Sequence, residues 1–188
     1  DAKDRLEETG FTTGNNVTQP QGLITALSGS GPVVNGSSNT GGIVSNATIA
    51  VADVYALKDQ LTPRFRKNAQ WMANVNIYDQ IRQLNTSSAM STFWADFGAD
   101  LPSKLLGRPV NENESMDGAV VSGSDDFTLL FGDFKAGYKV VDRVGLTIMY
   151  NPLVLGSNRI PTGQAGWFAF WRVGGGVITS NAFKLLRQ

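Results

Sequence analysis

The sequence predicts a mixed α+β fold without an internal repeat, because two helical stripes are followed by several strand-like segments. In the first two segments apolar residues recur at the spacing of one helix face, whereas the later segments show short apolar runs or alternation. The stripes consist of Ala50, Val54, Leu57 and Leu61, and of Ile77, Ile81 and Leu84. Each helix buries only one stripe, so we expect a sheet to cover both.

The chain opens with a charged, helix-like run from Asp1 to Glu8. We expect the end of a helix here, with Gly10 as its stop and a polar turn over residues 12–16. Because the chain begins inside this run and not at a Met, we expect a processed or truncated product.

The next segments are apolar first and then poor in apolar residues. Pro20 and Gly22 precede a short apolar segment, Leu23–Leu27. From Ser28 to Asn46 the chain is rich in Gly, Ser and Asn, which predicts an extended surface loop. Its apolar content is too low to offset the entropy of ordering, so we expect rapid hydrogen exchange across Gly36–Gly42.

The two helical stripes have recognisable starts and stops. Thr48 is a suitable N-cap for the first helix, and Pro63 is expected to end it. A strand is predicted over Ala69–Val75, and Asn76 is expected to cap the second helix. After it comes an irregular stretch that contains Phe93, Trp94 and Phe97.

Strands dominate the last third of the chain. The predicted strands are Phe127–Phe131, Tyr138–Arg143, Val144–Tyr150 and Trp167–Val173. In the last strand Trp167, Ala169, Trp171 and Val173 share one face, and Phe168, Phe170 and Arg172 share the other. Aromatic residues on both faces predict burial on both sides, by the same fold or by a neighbouring subunit.

Composition argues against several function classes. Sixteen Lys and Arg balance 16 Asp and Glu, so the basic excess typical of nucleic-acid binders is absent and we predict no specific nucleic-acid site. The chain has no Cys and no His, which removes thiol nucleophiles, imidazole bases and the commonest metal ligands. No apolar run approaches ~18 residues and no signal peptide is present, so no membrane segment is predicted.

The candidate catalytic residues have simpler structural interpretations. Asp125 and Asp126 are adjacent, and neighbours on a strand point to opposite faces, so a polar turn before Phe127 is favoured over a metal or acid–base pair. Gly174–Gly176 lacks the Lys-Ser/Thr of a phosphate loop and predicts a strand break or bulge.

Two further patterns also favour ordinary interpretations. Asp133, Asp142 and Arg143 could form a catalytic cluster, but ion pairs or turn contacts are favoured, and no serine has a His partner. Chance explains the five Asn-x-Ser/Thr sequons in a chain rich in these residues. The sequons begin at Asn16, Asn35, Asn46, Asn85 and Asn113. The sequence therefore predicts no catalytic, cofactor-binding or metal-binding residue and no enzyme activity.

Six segments, in order, carry a resemblance to a known family. They are Phe11–Ile24 with its Phe-x-x-Gly and Pro-x-Gly-Leu, the helix Ile49–Leu61, Arg64–Asn74 with the short helix that ends Ile81–Leu84, Leu105–Val110, Leu130–Phe134 leading into Tyr138–Arg143, and Ala169–Arg172 leading into Asn181–Leu186. This series resembles the major capsid proteins of tailed bacteriophages, whose Hong Kong ninety-seven type fold also builds encapsulin shells. The resemblance covers nearly the whole chain.

The resemblance implies a division into domains and a function. Residues 1–22 would be a remnant of the peripheral domain, 23–135 the axial domain with a mixed sheet and flanking helices, and 136–188 the return to the peripheral domain with its long strands. The protein would be a subunit of an icosahedral phage or prophage shell that self-assembles into pentamers and hexamers and encloses the genome. Its partners would be other copies of itself, in the virion and, during assembly, in the host cytoplasm.

The resemblance also implies what this chain lacks. The N-terminal arm, the extended loop and most of the spine helix of the family would precede Asp1, so we expect a monomer or a weak ring of five or six copies. Some members crosslink their shells through a Lys, an Asn and a Glu. The two strand positions correspond here to Gly163 and Phe170, so this chemistry is not expected.

Three alternatives stay open at this point. An encapsulin-like compartment would enclose cargo in place of a genome. A small ligand- or carbohydrate-binding domain would use Trp71, Trp94 or Trp171 as a stacking platform in an exposed cleft. A hydrolase would rest on Asp125 and Asp126 with a metal ion. A shell protein, in contrast, predicts aromatic residues at subunit edges.

Overall fold

The fold is mixed α+β, as the sequence predicts. The computed structural model describes residues 2–29, 31–36, 39–40, 43–44, 49–84, 94–95, 104–121 and 123–188. The helices are α1 (Ala2–Thr13), α2 (Leu23–Ser28), α3 (Val51–Gln60), α4 (Pro63–Arg66), α5 (Val75–Leu84) and α6 (Phe134–Gly137), with a 3₁₀ turn at Ser180–Ala182. The strands are β1 (Val33–Asn35), β2 (Asn39–Thr40), β3 (Ile43–Val44), β4 (Gln70–Ala73), β5 (Trp94–Ala95), β6 (Lys104–Leu105), β7 (Arg108–Glu112), β8 (Phe127–Gly132), β9 (Tyr138–Asn151), β10 (Gly166–Val177) and β11 (Phe183–Arg187).

The described strands form one mixed sheet of seven strands, a ribbon of β9 and β10, and a small hairpin of β2 and β3. The order in the large sheet is β1-β11-β8-β4-β7-β6-β5, with β1–β11 and β4–β7 parallel. Its centre is dry. Trp71 of β4 stacks on Phe131 of β8 with ring centroids 4.1 Å apart, and its indole N–H donates to the carbonyl of Leu105 at 2.9 Å.

The two predicted helical stripes pack on this sheet. Val54, Leu57 and Leu61 are fully buried, which confirms the first stripe. In the second, Ile77 and Ile81 are fully buried, while Leu84 at the end of α5 is half-buried.

The structure corrects the predicted helix ends. α1 continues through Gly10 to Thr13, because Gly10 is not a stop but the place where the helix passes close to Pro20. The apolar segment that follows is itself a helix, α2. Pro63 does not end α3, which stops at Gln60; it begins α4, where its missing N–H costs nothing.

The predicted N-caps are also shifted. Thr48 lies outside the described residues, and Ala50 is the N-cap residue of α3, its N–H donating to the Asp53 carboxylate at 2.9 Å. α5 begins at Val75, so Asn76 is not its cap. The side-chain oxygen of Asn74 accepts from the Asn76 N–H at 3.1 Å and serves that role.

The Gly/Ser/Asn segment contains more regular structure than predicted. Val33–Asn35 forms edge strand β1, parallel to β11, and Val34 is buried. The local Val-Val pair supplies the apolar contact that the composition of Ser28–Asn46 as a whole hides. Of residues 36–46, the structure describes Gly36 and strands β2 and β3, and the rapid exchange across Gly36–Gly42 stays a prediction.

The ribbon differs from the predicted strands in two ways. β9 is one continuous strand, where two were expected, and β10 continues through Gly174–Gly176, which pair with Val141, Val140 and Lys139. The glycines are therefore not a break. A Cβ on Gly175 would lie 2.6 Å from the Tyr138 hydroxyl and 2.9 Å from the Phe11 ring, so glycine permits close packing of α1 on the ribbon.

Tyr138 links stability to alkaline pH. Its hydroxyl donates to the Gln21 carbonyl at 2.6 Å, and burial raises the pKa of Tyr138 from 10.0 to about 12. Burial, with the charge of Glu112, also raises the pKa of Tyr78. Since the folded state favours the neutral phenol of Tyr138, its contribution is complete below pH 10 and is lost as pH rises toward about 12. We expect the free energy of unfolding, measured with urea, to fall across that window.

A Tyr138→Phe variant tests which group is responsible. It should lose about 1–3 kcal/mol at pH 8, because the Gln21 carbonyl loses its partner, but it should decline less steeply above pH 10. An equally steep decline in the variant would show that Tyr138 does not titrate in this window.

Candidate assembly surface

The base of the β9–β10 ribbon is fixed to the turn between α1 and α2 through Gln21. The Gln21 N–H donates to the Gly175 carbonyl at 3.1 Å, and its side-chain oxygen accepts from the Val177 N–H at 3.2 Å. Tyr138 donates to the Gln21 carbonyl and packs edge-on against Phe11, with centroids 6.1 Å apart. The ribbon is therefore held firmly at one end.

Beyond this base, the ribbon is apolar and exposed on both faces. Trp167 lies opposite Tyr150 with ring centroids 4.9 Å apart, and Phe168 lies opposite Met149. Partners across a ladder share a face, so the two pairs lie on opposite faces. Trp167 is 75% exposed and Phe168 61% exposed. The prediction that other parts of the same fold bury both faces of this strand is therefore wrong.

The exposed area is large enough to form an interface. Ten large apolar side chains of the ribbon and its tip are exposed. They are Leu146, Ile148, Met149, Tyr150, Leu153, Leu155, Ile160, Trp167, Phe168 and Phe170. At roughly 100 Å² each they expose on the order of 1,000 Å², more than the about 800 Å² that one partner buries in a standard interface. An isolated two-stranded ribbon is marginally stable in water, so a covering partner would also stabilise it.

A sequence signal for this surface is the near-absence of charge. Residues 144–171 contain one charged residue, Arg159, at the tip of the ribbon. The chain average of 17% would place about five charges in these 28 residues. Alternation alone predicted aromatic residues on both faces. The lack of charged residues is what indicates that both faces are apolar.

The predicted carboxylates serve the loops. Asp126 accepts from the Val121 N–H at 2.5 Å, and Asp125 pairs with Arg187 at 3.5 Å, as a polar turn requires. Asp133 caps α6 by accepting from the Ala136 N–H at 3.1 Å. Within the ranges that the structure describes, no group of three or more carboxylates is placed to hold a metal ion.

The remaining predicted residues are dispersed. Asp142 and Arg143 are exposed on β9, and no ion pair between described residues joins either to Asp133. Trp71 is fully buried and cannot be a stacking platform. The side chain of Trp94 lies outside what is described, while Trp171 lines a groove at the base of the ribbon.

Comparison with known proteins decides the family. The model of the Phage capsid family matches residues 1–187. The chain belongs to the phage capsid family. This confirms the resemblance that the six segments carry, and the corresponding fold. A search of curated proteins found no match.

Solved structures agree with this assignment. The capsid of an empty GTA particle, computed with C5 symmetry, superposes with a TM-score of 0.78 at 26% identity, covering 100% of this chain and 62% of that one. The holo-SrpI encapsulin complex from Synechococcus elongatus PCC 7942 gives a TM-score of 0.62 at 12% identity, covering 98% and 60%. Gordonia phage Cozz gives 0.62 at 12% identity, covering 99% and 59%. The last two structures share the fold with this chain. The chain spans less than two thirds of the length of each of the three proteins.

Across the described residues, no helix combines the length and the apolarity that crossing a membrane would require.

Proposed function

We propose that this chain is a structural subunit of an icosahedral phage or prophage shell, that it assembles with its own copies into pentamers and hexamers, and that the shell encloses a genome. The observation that carries the proposal is the ribbon with two exposed apolar faces in a member of the phage capsid family. The match to the phage capsid family over residues 1–187 favours a phage-type shell over an encapsulin-like compartment, since the encapsulin is similar in fold alone. The protein would act in the virion capsid after assembly in the host cytoplasm, and it would not be an enzyme.

We propose a division into an axial part and a peripheral part, with one change from the sequence-based boundaries. Residues 23–135 supply most of the seven-stranded sheet and would form the axial part. Residues 1–22 and the ribbon from 138 to 177 would form the peripheral part. β11 pairs with β1 and β8, so Phe183–Arg187 are grouped with the axial part and not with residues 136–188.

Charged substitutions on each ribbon face test the proposal. We expect Trp167→Glu and Phe168→Glu each to weaken self-association at least about tenfold, because a carboxylate would be buried in an apolar contact. Sedimentation velocity over a concentration series, with negative-stain images of the largest species, measures this.

Val51→Glu is the matched control. It also replaces an exposed apolar residue, at 41% exposure, but it lies in the first turn of α3, where a carboxylate is tolerated. Self-association of the two ribbon variants that is as strong as that of Val51→Glu would contradict the proposal.

A further inference from the structure

A groove of about 560 Å³ lies between α1, the loop that precedes Pro20 and the base of the ribbon. Leu6, Pro20, Val141 and Trp171 contribute apolar surface, and Arg143 and Arg172 contribute two cations. Among the described residues, neither guanidinium forms an ion pair or a hydrogen bond. Glu7, the acidic residue of the lining, is paired with Lys3 at 3.3 Å. The groove therefore combines an apolar lining with two unpaired positive charges.

A β-bulge brings the two cations together. Arg172 lies opposite Val144, but Val173 lies opposite Asp142, so Arg143 is the extra residue on β9. A bulge changes the direction of a side chain, and here both arginines line the same groove. Both arginines are exposed, and two unpaired like charges on one apolar surface attract an anion. This arrangement points to an anionic occupant.

The same chain presents an anionic surface elsewhere. Glu112 is the last residue of β7 and Glu114 lies two residues further on; both are exposed, and neither forms an ion pair among the described residues. Glu8 of α1 lies beside them, its carboxylate accepting from the Glu114 N–H at 3.0 Å. From residue 109 to residue 134 the sequence contains no Lys or Arg.

α1 separates the two surfaces within one copy. Leu6 and Glu7 line the groove, whereas Glu8 and Thr9 face the acidic side, where the Thr9 hydroxyl lies 3.3 Å from that of Ser115. The acidic side chains are therefore directed away from the groove of their own copy.

We call this groove, which Arg143 and Arg172 line, the arginine groove. We propose that the arginine groove of one copy binds Glu112 and Glu114 of a second copy. Arginine binds carboxylates in a bidentate geometry, and the apolar lining excludes water around the pair. Because the two surfaces differ, the contact is heterologous, and repetition of a heterologous contact gives a ring when its rotation closes. This inference rests on the proposed function, since it assumes self-association, and it names the contact that would join neighbours within a ring.

Charge reversal provides the test. The groove variant carries Arg143→Glu with Arg172→Glu, and the loop variant carries Glu112→Arg with Glu114→Arg. We expect the dissociation constant of self-association to rise about tenfold or more in each variant alone, because like charges then face each other. A chain with all four substitutions should recover, since its acidic groove meets its own basic loop in the next copy.

An equimolar mixture of the two double variants gives a sharper outcome. Each contact is then complementary only between unlike chains, so the two variants must alternate around the ring. Alternation requires an even number of members. The mixture should therefore form six-membered rings and no five-membered rings, which native mass spectrometry can count.

Controls distinguish the possible failures. Lys67→Glu with Lys139→Glu changes the net charge as the groove variant does, on exposed residues outside the groove, and should leave association unchanged. If the groove variant associates as strongly as the unmodified chain, this inference is overturned and the proposed function stays intact. Weakening without recovery in the quadruple variant or the mixture would show that another partner occupies the groove, and would also overturn it. An unmodified chain that never associates would also overturn this inference, because the groove contact would then be too weak to join two copies.

Discussion

Replacing Leu57 by alanine is expected to lower the free energy of unfolding by about 2–5 kcal/mol. Leu57 is fully buried on the face of α3 that contacts β11 and β1. The substitution removes buried methyl groups and leaves a cavity, because the packed strands and the helix around the site can relax only partially to fill it.

Urea unfolding at 25 °C, followed by tryptophan fluorescence, measures the effect. Trp71 is a suitable probe because it lies fully buried in the same core. Val51→Ala is the matched control, since Val51 lies on the same helix but is 41% exposed, and it should change stability by less than about 0.5 kcal/mol. Equal effects of the two substitutions would show that α3 does not pack through this face.

Periodicity predicted the core of this protein because a local pattern determined it. The stripes of α3 and α5 follow from the spacing of apolar residues along one helix, which no distant contact needs to supply. The helix boundaries were less predictable. Gly10 is inside α1, where Pro20 lies close to it, and Gly175 is inside β10, where Tyr138 and Phe11 lie too close for a side chain. A glycine that permits close packing and a glycine that ends an element look the same in a sequence.

The candidate surfaces were predictable to different degrees. The aromatic faces of β10 follow from alternation, and the single charge among residues 144–171 could have identified the whole ribbon. The arginine groove could not have been found in this way. It depends on a one-residue shift in register between β9 and β10, which lets Arg143 and Arg172 line the same groove, and register is set by pairing across the ribbon.

The turn between α1 and α2 shows what two glycines of the Phe-x-x-Gly and Pro-x-Gly-Leu segments do. A Cβ on Gly14 would lie 2.2 Å from the carbonyl oxygens of both Gly10 and Pro20. A Cβ on Gly22 would lie 2.3 Å from the Gly14 nitrogen. The neighbours are backbone atoms, which cannot rotate away as a side chain can. The same backbones are joined by a hydrogen bond from the Gly22 N–H to the Gly14 carbonyl at 2.9 Å.

Gly14→Ala and Gly22→Ala are therefore each expected to cost about 3 kcal/mol or more, at the upper end of single substitutions. The methyl group must push apart two backbones that also position Gln21, so the base of the ribbon should loosen with the turn. Thermal unfolding measures the first effect, and faster hydrogen exchange at Gln21 and Val177 measures the second. Gly29→Ala is the matched control, because a Cβ there meets nothing within 4 Å. If Gly14→Ala were as mild as Gly29→Ala, the turn could widen freely, and the close contact would not be what fixes the ribbon to α1.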